Sequence, residues 1–218
     1  MDNAWKGYNA TLFAYGQTGS GKSWSVIGYG ANKGIVPVLC DELFKGIAKK
    51  NDGTSFEVKF SMMEIYNEIA TDLSTVDASK KKRESLKIRQ HPKKGFYGKD
   101  KILLSLIRLK RILSMKRLSN FTEKRKLIFS IKNIYIIKFS ADGLKEHLVS
   151  SYEEIDAMMD KCTMNRTVAS TNMNATSSRA HTIVGINFVQ KFKNSAGKEM
   201  AKGAVMNLVD LAGRYVEL

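Results

Sequence analysis

Residues Ala10 to Ser23 read ATLFAYGQTGSGKS, and this stretch predicts the fold of the chain. Its first part, Ala10–Tyr15, is a short apolar run rich in strand-forming residues, which indicates a β-strand. The run leads directly into GQTGSGKS, which satisfies the pattern G-x-x-x-x-G-K-[ST] in full. A strand followed by such a loop and then by a helix is typical of a phosphate-binding loop.

The residue types in this loop suit nucleotide phosphates and Mg²⁺. Glycines let backbone N–H groups turn inward around phosphate oxygens, Lys22 reaches the β- and γ-phosphates, and the Ser23 hydroxyl coordinates Mg²⁺. The strand and helix signals around the loop argue against a chance match. The predicted binding residues are Gly16, Gln17, Thr18, Gly19, Ser20, Gly21, Lys22 and Ser23.

Strand and helix signals alternate along the rest of the chain. Helical spacing predicts helices over residues 34–50 and 151–171, and alternation of apolar residues predicts strands over 56–66, 86–90, 181–191 and 201–210. The apolar positions of the first helix are Val38, Leu39, Leu43, Phe44 and Ile47, and those of the first strand are Phe56, Val58, Phe60 and Met62. This order predicts an α/β sandwich with helices covering a central sheet.

Composition fits one domain of 218 residues with a sizeable core, since 43% of residues are apolar. The absence of a long uncharged apolar run, of a signal peptide and of more than two cysteines favours a soluble intracellular protein. The net charge of +15 suits an acidic partner. Most of that charge lies in residues 98–140, which hold twelve Lys and Arg against two acids.

Two further segments carry residues suited to phosphate chemistry. NMNATSSRAHTIV, residues 172–184, has serines and an arginine between a helix and a strand, which alone favours a polar loop. Beside a phosphate loop it offers hydroxyl groups to Mg²⁺ and to an attacking water. Asp210-Leu211-Ala212-Gly213 places an acid at a strand end before a flexible glycine, which is weak evidence by itself.

The three motifs in this order resemble the kinesin motor domain. GYNATLFAYGQTGSGKSWSVIGYG, NRTVASTNMNATSSRAH and NLVDLAG are similar to the family's phosphate loop, first switch and second switch. KSWS and GIVP look most like the kinesin-3 branch, and the resemblance covers residues 3–97 and 141–213. It implies a P-loop NTPase fold, a three-layer sandwich with a mixed central sheet.

The resemblance implies a nucleotide and metal site for ATP and Mg²⁺. Gly16 to Ser23 would hold the ATP phosphates, and Asn174 would face the nucleotide. Ser178 would hold Mg²⁺ and its water, while Asp210 would bind the Mg²⁺ shell through water. The implied metal residues are therefore Ser23, Ser178 and Asp210.

It also implies a catalytic set for ATP hydrolysis. Ser177 would face the nucleotide together with Ser178. Arg179 would pair across the cleft with a second-switch glutamate, and the Gly213 N–H would sense the γ-phosphate. The implied activity is that of a microtubule motor ATPase.

The implied partner is the microtubule. Its acidic tubulin surface suits basic loops such as HPKKG, where Lys93 and Lys94 match a tubulin-contacting region. We expect a cytoplasmic, microtubule-associated protein with no nucleic-acid partner and no membrane span. Cargo or lipid contacts would use only regions outside this chain.

The chain departs from the family pattern at several points. Ala180 replaces a serine, and Arg214-Tyr215-Val216 stands where Ser-Glu-Arg is expected, so the glutamate partner of Arg179 is missing. Glu217 lies two residues too far along. By the resemblance, residues 1–218 form a partial motor domain whose phosphate-loop strand has an exposed edge and whose stability is poor. The alternative function is a hydrolysis-incompetent nucleotide- or tubulin-binding fragment.

Residues 98–140 form a basic insertion by this comparison. They contain eight Ile and seven Leu but no Ala, Val or Pro, which resembles translated A/T-rich noncoding DNA. Gly98-Lys99 can be encoded GGTAAG, which contains an intron start, and Phe139 to the first base of Ala141 can be encoded TTTTCAG, an intron end. Arg214-Tyr215-Val216 can be encoded AG-GTATGT, which contains a second intron start. We interpret the stretch as one read-through intron and expect the chain to end inside a second. Two alternatives are an amphipathic helix for a lipid surface or partner, and a nucleic-acid arm.

The histidines and tryptophans carry weaker signals. His91, His147 and His181 lack a metal-ligand pattern, so core or surface roles are expected. Trp5 and Trp24 are predicted to be packing residues rather than stacking platforms.

Overall fold

A computed structural model of the chain describes residues 1–67, 69–75, 85–86, 143–171 and 180–213. Its helices are α1 (Asp2–Trp5), α2 (Lys22–Val26), α3 (Ile35–Ala48) and α4 (Tyr152–Thr171). Its strands are β1 (Ala10–Ala14), β2 (Gly28–Tyr29), β3 (Asn32–Lys33), β4 (Ser55–Tyr66), β5 (Ile69–Asp72), β6 (His147–Val149), β7 (His181–Lys193) and β8 (Glu199–Asp210).

The main sheet is mixed, with the strand order β1-β8-β7-β4-β5 and with β6 paired to β4. Strands β1 and β8 run parallel, with Ala10 beside Met206 and Ala14 beside Asp210. The remaining pairs of this sheet are antiparallel. Parallel pairing brings the carboxyl ends of β1 and β8 to one edge, which is where α/β sheets bind ligands.

Strands β7 and β8 form a long hairpin because their sequences alternate and their turn is well capped. In β7, Val184, Ile186 and Phe188 are fully buried on one face. The turn places Gly197 at φ +72°, a conformation that side chains rarely adopt. The Asn194 side chain accepts two backbone N–H groups of the turn at 3.0 and 2.9 Å. The residues of the turn and the apolar pattern of the strands therefore both favour the observed pairing register of β7 and β8.

One core cluster joins the four described helices to a single face of the sheet. Each helix contributes buried side chains, and the strands contribute every second residue. The helical members are Ala4, Val26, Val36, Cys40, Leu43, Ile155, Met159 and Cys162. The opposite face of the sheet is also buried, at Met63, Ile65, Ile183 and Val209. The predicted α/β sandwich with a mixed central sheet is confirmed.

Most of the predicted elements are present, and the predicted apolar face of the first long helix is confirmed at every position except Val38. The helix over 34–50 is observed as α3, yet Val38 is 50% exposed. Leu43 is fully buried, and Leu39, Phe44 and Ile47 pack against the core as predicted. Val36 and Cys40, which were not predicted for this face, are also fully buried.

Strand β5 was not predicted. It is four residues long and follows Asn67, which has φ +47°, in a tight turn after β4. Its length is too short for an alternating pattern to be recognised. The strand predicted over 86–90 lies outside the described residues except for Leu86, whose N–H donates to the Ala70 carbonyl at 2.8 Å.

Other predicted features cannot be placed in this fold. Residues 98–140 and the basic loop with Lys93 and Lys94 lie outside the described residues, as does His91. Among the described helices, none is long and apolar enough to cross a membrane.

Candidate nucleotide site

The glycine loop between β1 and α2 depends on two left-handed glycines. Gly19 and Gly21 both have φ +80°, and Gly21 is the N-cap of α2. Any other residue would have a strained backbone there, although a Cβ added at either position would have no atom within 4 Å. The loop can therefore turn back over its own backbone, and residues 17–21 remain exposed to solvent.

The Lys22 side chain lies over this loop. Its Nζ donates hydrogen bonds to the Gly16 carbonyl at 3.0 Å and to the Gln17 carbonyl at 2.7 Å. The ammonium charge is thus held at the mouth of the loop by α2 and by the two carbonyls. A cation in this position can attract phosphate oxygens.

Ser23 and Asp210 meet at the base of the loop. The Ser23 hydroxyl donates to Asp210 Oδ2, across a sequence separation of 187 residues. The β1–β8 pairing produces this contact, since Ala14 lies beside Asp210 and the Leu211 N–H donates to the Ala14 carbonyl at 3.1 Å. Asp210 is 3% exposed.

The second Asp210 oxygen is buried without a partner. Within the described residues, Asp210 Oδ1 and Thr182 Oγ1 are the buried side-chain oxygens that lack a hydrogen bond. A hydroxyl and a carboxylate with a free oxygen are the hard donors that Mg²⁺ prefers. Ser23 and Asp210 therefore fit a magnesium site in their chemistry.

Gly213 packs directly against the glycine loop. A Cβ on this residue would lie 2.2 Å from Thr18 Oγ1, 2.8 Å from its N and 3.0 Å from its Cα. Only a glycine allows so close an approach of two backbones. The segment that follows β8 is therefore seated on the phosphate loop.

The structure brings together one part of the predicted site. Gly16–Ser23, Asp210 and Gly213 converge at the carboxyl ends of β1 and β8. Asn174, Ser177, Ser178 and Arg179 lie outside the described residues.

Sequence reasoning missed two residues beside this site. His181 Nδ1 accepts the Ala212 N–H at 2.9 Å, which links the start of β7 to the segment before Gly213. Thr182 lies directly opposite Asp210 in the β7–β8 pairing. The sequence could have shown that both residues begin a strand, but not which residue of β8 they face.

The remaining histidine and the tryptophans have different surroundings. His147 Nε2 lies 2.8 Å from Ser74 Oγ, away from the loop. Trp5 packs edge-on against Phe188 with ring centroids 4.9 Å apart, as predicted. Trp24 is 52% exposed two residues after Lys22, and its ring centroid lies 5.7 Å from that of Tyr29, so it packs at the surface and not in the core.

The sequence model of the kinesin motor domain family matches residues 1–128 and 122–215. The chain is 38% identical over 212 residues to human "Kinesin-like protein KIF28P", covering 97% of this chain and 17% of that protein. It is 36% identical over 215 residues to human "Kinesin-like protein KIF13A", covering 98% of this chain and 9% of that protein. It is 38% identical over 218 residues to "Kinesin-related protein 1" of Dictyostelium discoideum, covering 98% of this chain and 8% of that protein.

Two solved structures are similar to the whole chain. The "Structure of a fast kinesin" superimposes with a TM-score of 0.69 at 29% identity, covering 99% of this chain and 48% of that one. A KIF14 dimer with AMP-PNP on a microtubule superimposes with a TM-score of 0.70 at 30% identity, covering 97% and 48%. The chain therefore spans about half the length of these structures, and less than a fifth of the curated relatives named above.

Proposed function

Because this chain belongs to the kinesin motor domain family, we propose that it binds ATP with Mg²⁺ and hydrolyses it to drive movement along microtubules. The resemblance to the kinesin-3 branch fits its similarity to KIF13A and to mouse "Kinesin-like protein KIF16B". One observation carries the proposal. The contact between Ser23 and Asp210, with Gly213 seated on the same loop, assembles a phosphate and metal site from segments far apart in sequence.

The proposed roles of the residues follow from their chemistry. The loop Gly16–Ser23 binds the phosphates through its backbone N–H groups and through Lys22. Ser23 would coordinate Mg²⁺, and Asp210 would bind its shell through water; when bound, the ion would supply charge neutralisation for phosphoryl transfer. Gly213 offers its N–H to the terminal phosphate, since it lies against Thr18.

The first switch completes the proposed catalytic set. Asn174 and Ser177 face the nucleotide, Ser178 holds Mg²⁺ and its water, and Arg179 closes the cleft. These four residues rest on the family resemblance alone. The start of β7 supports their position, because His181 accepts the Ala212 N–H beside Gly213.

Substitution of Lys22 tests the enzyme proposal. We expect Lys22→Ala to weaken ATP binding about 30-fold or more and to abolish turnover, because it removes a charged donor from the phosphate site. Equilibrium binding of fluorescent ATP and steady-state phosphate release would measure the two effects. Lys45→Ala on the exposed side of α3 is the matched control. Equal turnover in both variants would contradict the proposal.

A second candidate function is a nucleotide- or tubulin-binding protein without hydrolysis. The observation in its favour is Arg214-Tyr215-Val216, which replaces the Ser-Glu-Arg expected after Gly213 and removes the partner of Arg179. Tight ATP binding without phosphate release, with or without microtubules, would favour this candidate.

We also propose that tubulin is the partner and that the protein is cytoplasmic and microtubule-associated. The solved relative bound to a microtubule supports a tubulin partner for the family. Co-sedimentation with microtubules, in the presence and absence of a nonhydrolysable ATP analogue, tests this proposal. Lys93 and Lys94 are the proposed contacts, and their double substitution to Ala would reduce co-sedimentation.

Residues 98–140 are proposed to be an insertion in part of a motor domain. The family model matches the chain in two segments that overlap only at 122–128, so the match is interrupted inside this stretch. The interruption supports the insertion, and the interpretation as a read-through intron rests on the codons described above.

A further inference from the structure

Two buried side-chain oxygens without a partner belong to residues that pair directly, beside the proposed magnesium site. Thr182 is 1% exposed and Asp210 is 3% exposed. They are direct partners in the β7–β8 pairing. In the part of the chain that the structure describes, neither Thr182 Oγ1 nor Asp210 Oδ1 has a hydrogen-bond partner. Such a pair requires an explanation, because buried polar atoms in folded proteins are almost always satisfied.

The sheet directs both side chains to the same face. Residues directly opposite each other on antiparallel strands have Cβ atoms about 4.5–5.5 Å apart. A Cβ separation of this size allows the Thr182 hydroxyl and the Asp210 carboxylate to share one small polar molecule. A water fits the need, since buried waters typically make two to four hydrogen bonds to otherwise unsatisfied groups.

The residue opposite Thr182 on β4 already has a partner, so the Thr182 hydroxyl is assigned to Asp210. Thr182 also lies opposite Glu64 on its other side, so it stands between two buried carboxylates in one row of the sheet. Glu64 Oε1 already accepts from Arg166 Nε of α4 at 3.3 Å. Both carboxylates are acceptors, and the Thr182 hydroxyl can donate or accept.

Asp210 needs a second support if it is to orient the metal site. Ser23 engages only Oδ2 of this carboxylate. One hydrogen bond leaves the carboxylate free to tilt about its last side-chain torsion. A contact at Oδ1 would fix the plane of the carboxylate and with it the direction of its lone pairs.

We propose that Thr182 is a positioning residue of the nucleotide site, holding a buried water against Asp210 Oδ1. The water satisfies both oxygens and fixes the carboxylate that is to face the Mg²⁺ shell. This inference rests on the proposed function, since it concerns the same magnesium site. Outer contacts of this kind typically change metal affinity about 10- to 100-fold when removed.

The test is the Mg²⁺ dependence of nucleotide retention in Thr182→Val, which keeps the shape and removes the hydroxyl. Release of N-methylanthraniloyl-ADP would be followed across a Mg²⁺ titration and in EDTA. We expect the Mg²⁺ concentration for half-maximal retention to rise about tenfold or more, with the release rate in EDTA unchanged. Thr182→Ser keeps the hydroxyl and should behave as the unmodified chain.

Thr71→Val is the matched control. Thr71 is buried in the same row of the sheet, on the far side of Glu64, and its loss should leave the titration unchanged. A Thr182→Val titration that overlays that of the unmodified chain, or an equal change in Mg²⁺ and in EDTA, would overturn this inference alone. An unmodified chain that retains no nucleotide would overturn the proposed function as well. If circular dichroism shows that Thr182→Val does not fold, Thr182→Ala takes its place with the same two outcomes.

Discussion

At the scale of single residues, the close approach of Gly213 to Thr18 requires a hydrogen atom, and no side chain, on the Gly213 Cα. Gly213→Ala would place a methyl group within 3.0 Å of the Thr18 backbone, which is closer than real side-chain carbons come. The segment after β8 must then move off the loop. We expect nucleotide affinity to fall by at least about tenfold, as the loss of one hydrogen bond to a charged phosphate would predict.

Gly203→Ala serves as the control for that substitution. Gly203 lies in β8, and an added Cβ would be 3.8 Å from its nearest neighbour, an ordinary contact. Fluorescent-nucleotide titrations of both variants measure the effect. If the two variants bind nucleotide equally, Gly213 does not contribute through its close approach to Thr18.

Trp24 provides a second prediction at this scale. The chain has two tryptophans, and Trp24 is half exposed beside the loop whereas Trp5 packs in the aromatic cluster of Phe56 and Phe188. Nucleotide binding should therefore change the emission of Trp24, because an exposed indole responds to a change in its solvent contacts. A titration should keep the signal in Trp5→Phe and lose it in Trp24→Phe. The reverse pattern would place the nucleotide away from the loop.

At the scale of elements, α3 and α4 carry the only two cysteines of the chain, and both are fully buried. Burial raises the pKa of each thiol, Cys40 and Cys162, to about 12. Since the thiolate is the reactive species, both groups should be inert at pH 8. A chromogenic disulfide should label neither thiol in the folded chain and both in denaturant. Fast labelling in the folded chain would show that the α3–α4 packing opens readily.

Sequence patterns predicted the long elements well because each one repeats its signal. β4, β7, β8, α3 and α4 each contain several apolar residues at the right period. The short β5 has no room for a repeat, and the spacing in α3 placed Val38 on the buried face and left out Val36 and Cys40. Exposed Val38 shows this limit.

In the candidate site, the local glycine loop could be predicted from the sequence, and the contacts between distant segments could not. The glycine loop is a local pattern, so its position and its conformation follow from the sequence. The meeting of Ser23 with Asp210 depends on the β1–β8 pairing, and that of Thr182 with Asp210 depends on the β7–β8 register. Pairings between distant segments are not encoded in local periodicity, which is why Thr182 and His181 were not singled out.

At the scale of the whole molecule, the main prediction concerns residues 98–140. The spliced message is expected to lack these 43 codons and to encode GFYADGLKEHL across the join. The reason is that the flanking residues continue the family pattern without a gap, and the family model matches the chain in two segments that meet inside the stretch between them. Sequencing of cDNA across Tyr97 and Asp142 measures this directly. Mature message that retains the codons would contradict the prediction and favour a true surface element.

The hydrogen bond from the Ala212 N–H to His181 Nδ1 has a consequence for how the molecule moves. His181 is the first residue of β7, directly after the first-switch segment, and Ala212 directly precedes Gly213. An acceptor nitrogen on the imidazole therefore joins the residue after the proposed first switch to the residue before Gly213. If both segments sense the γ-phosphate as proposed, a displacement of either one must move the other or break this hydrogen bond.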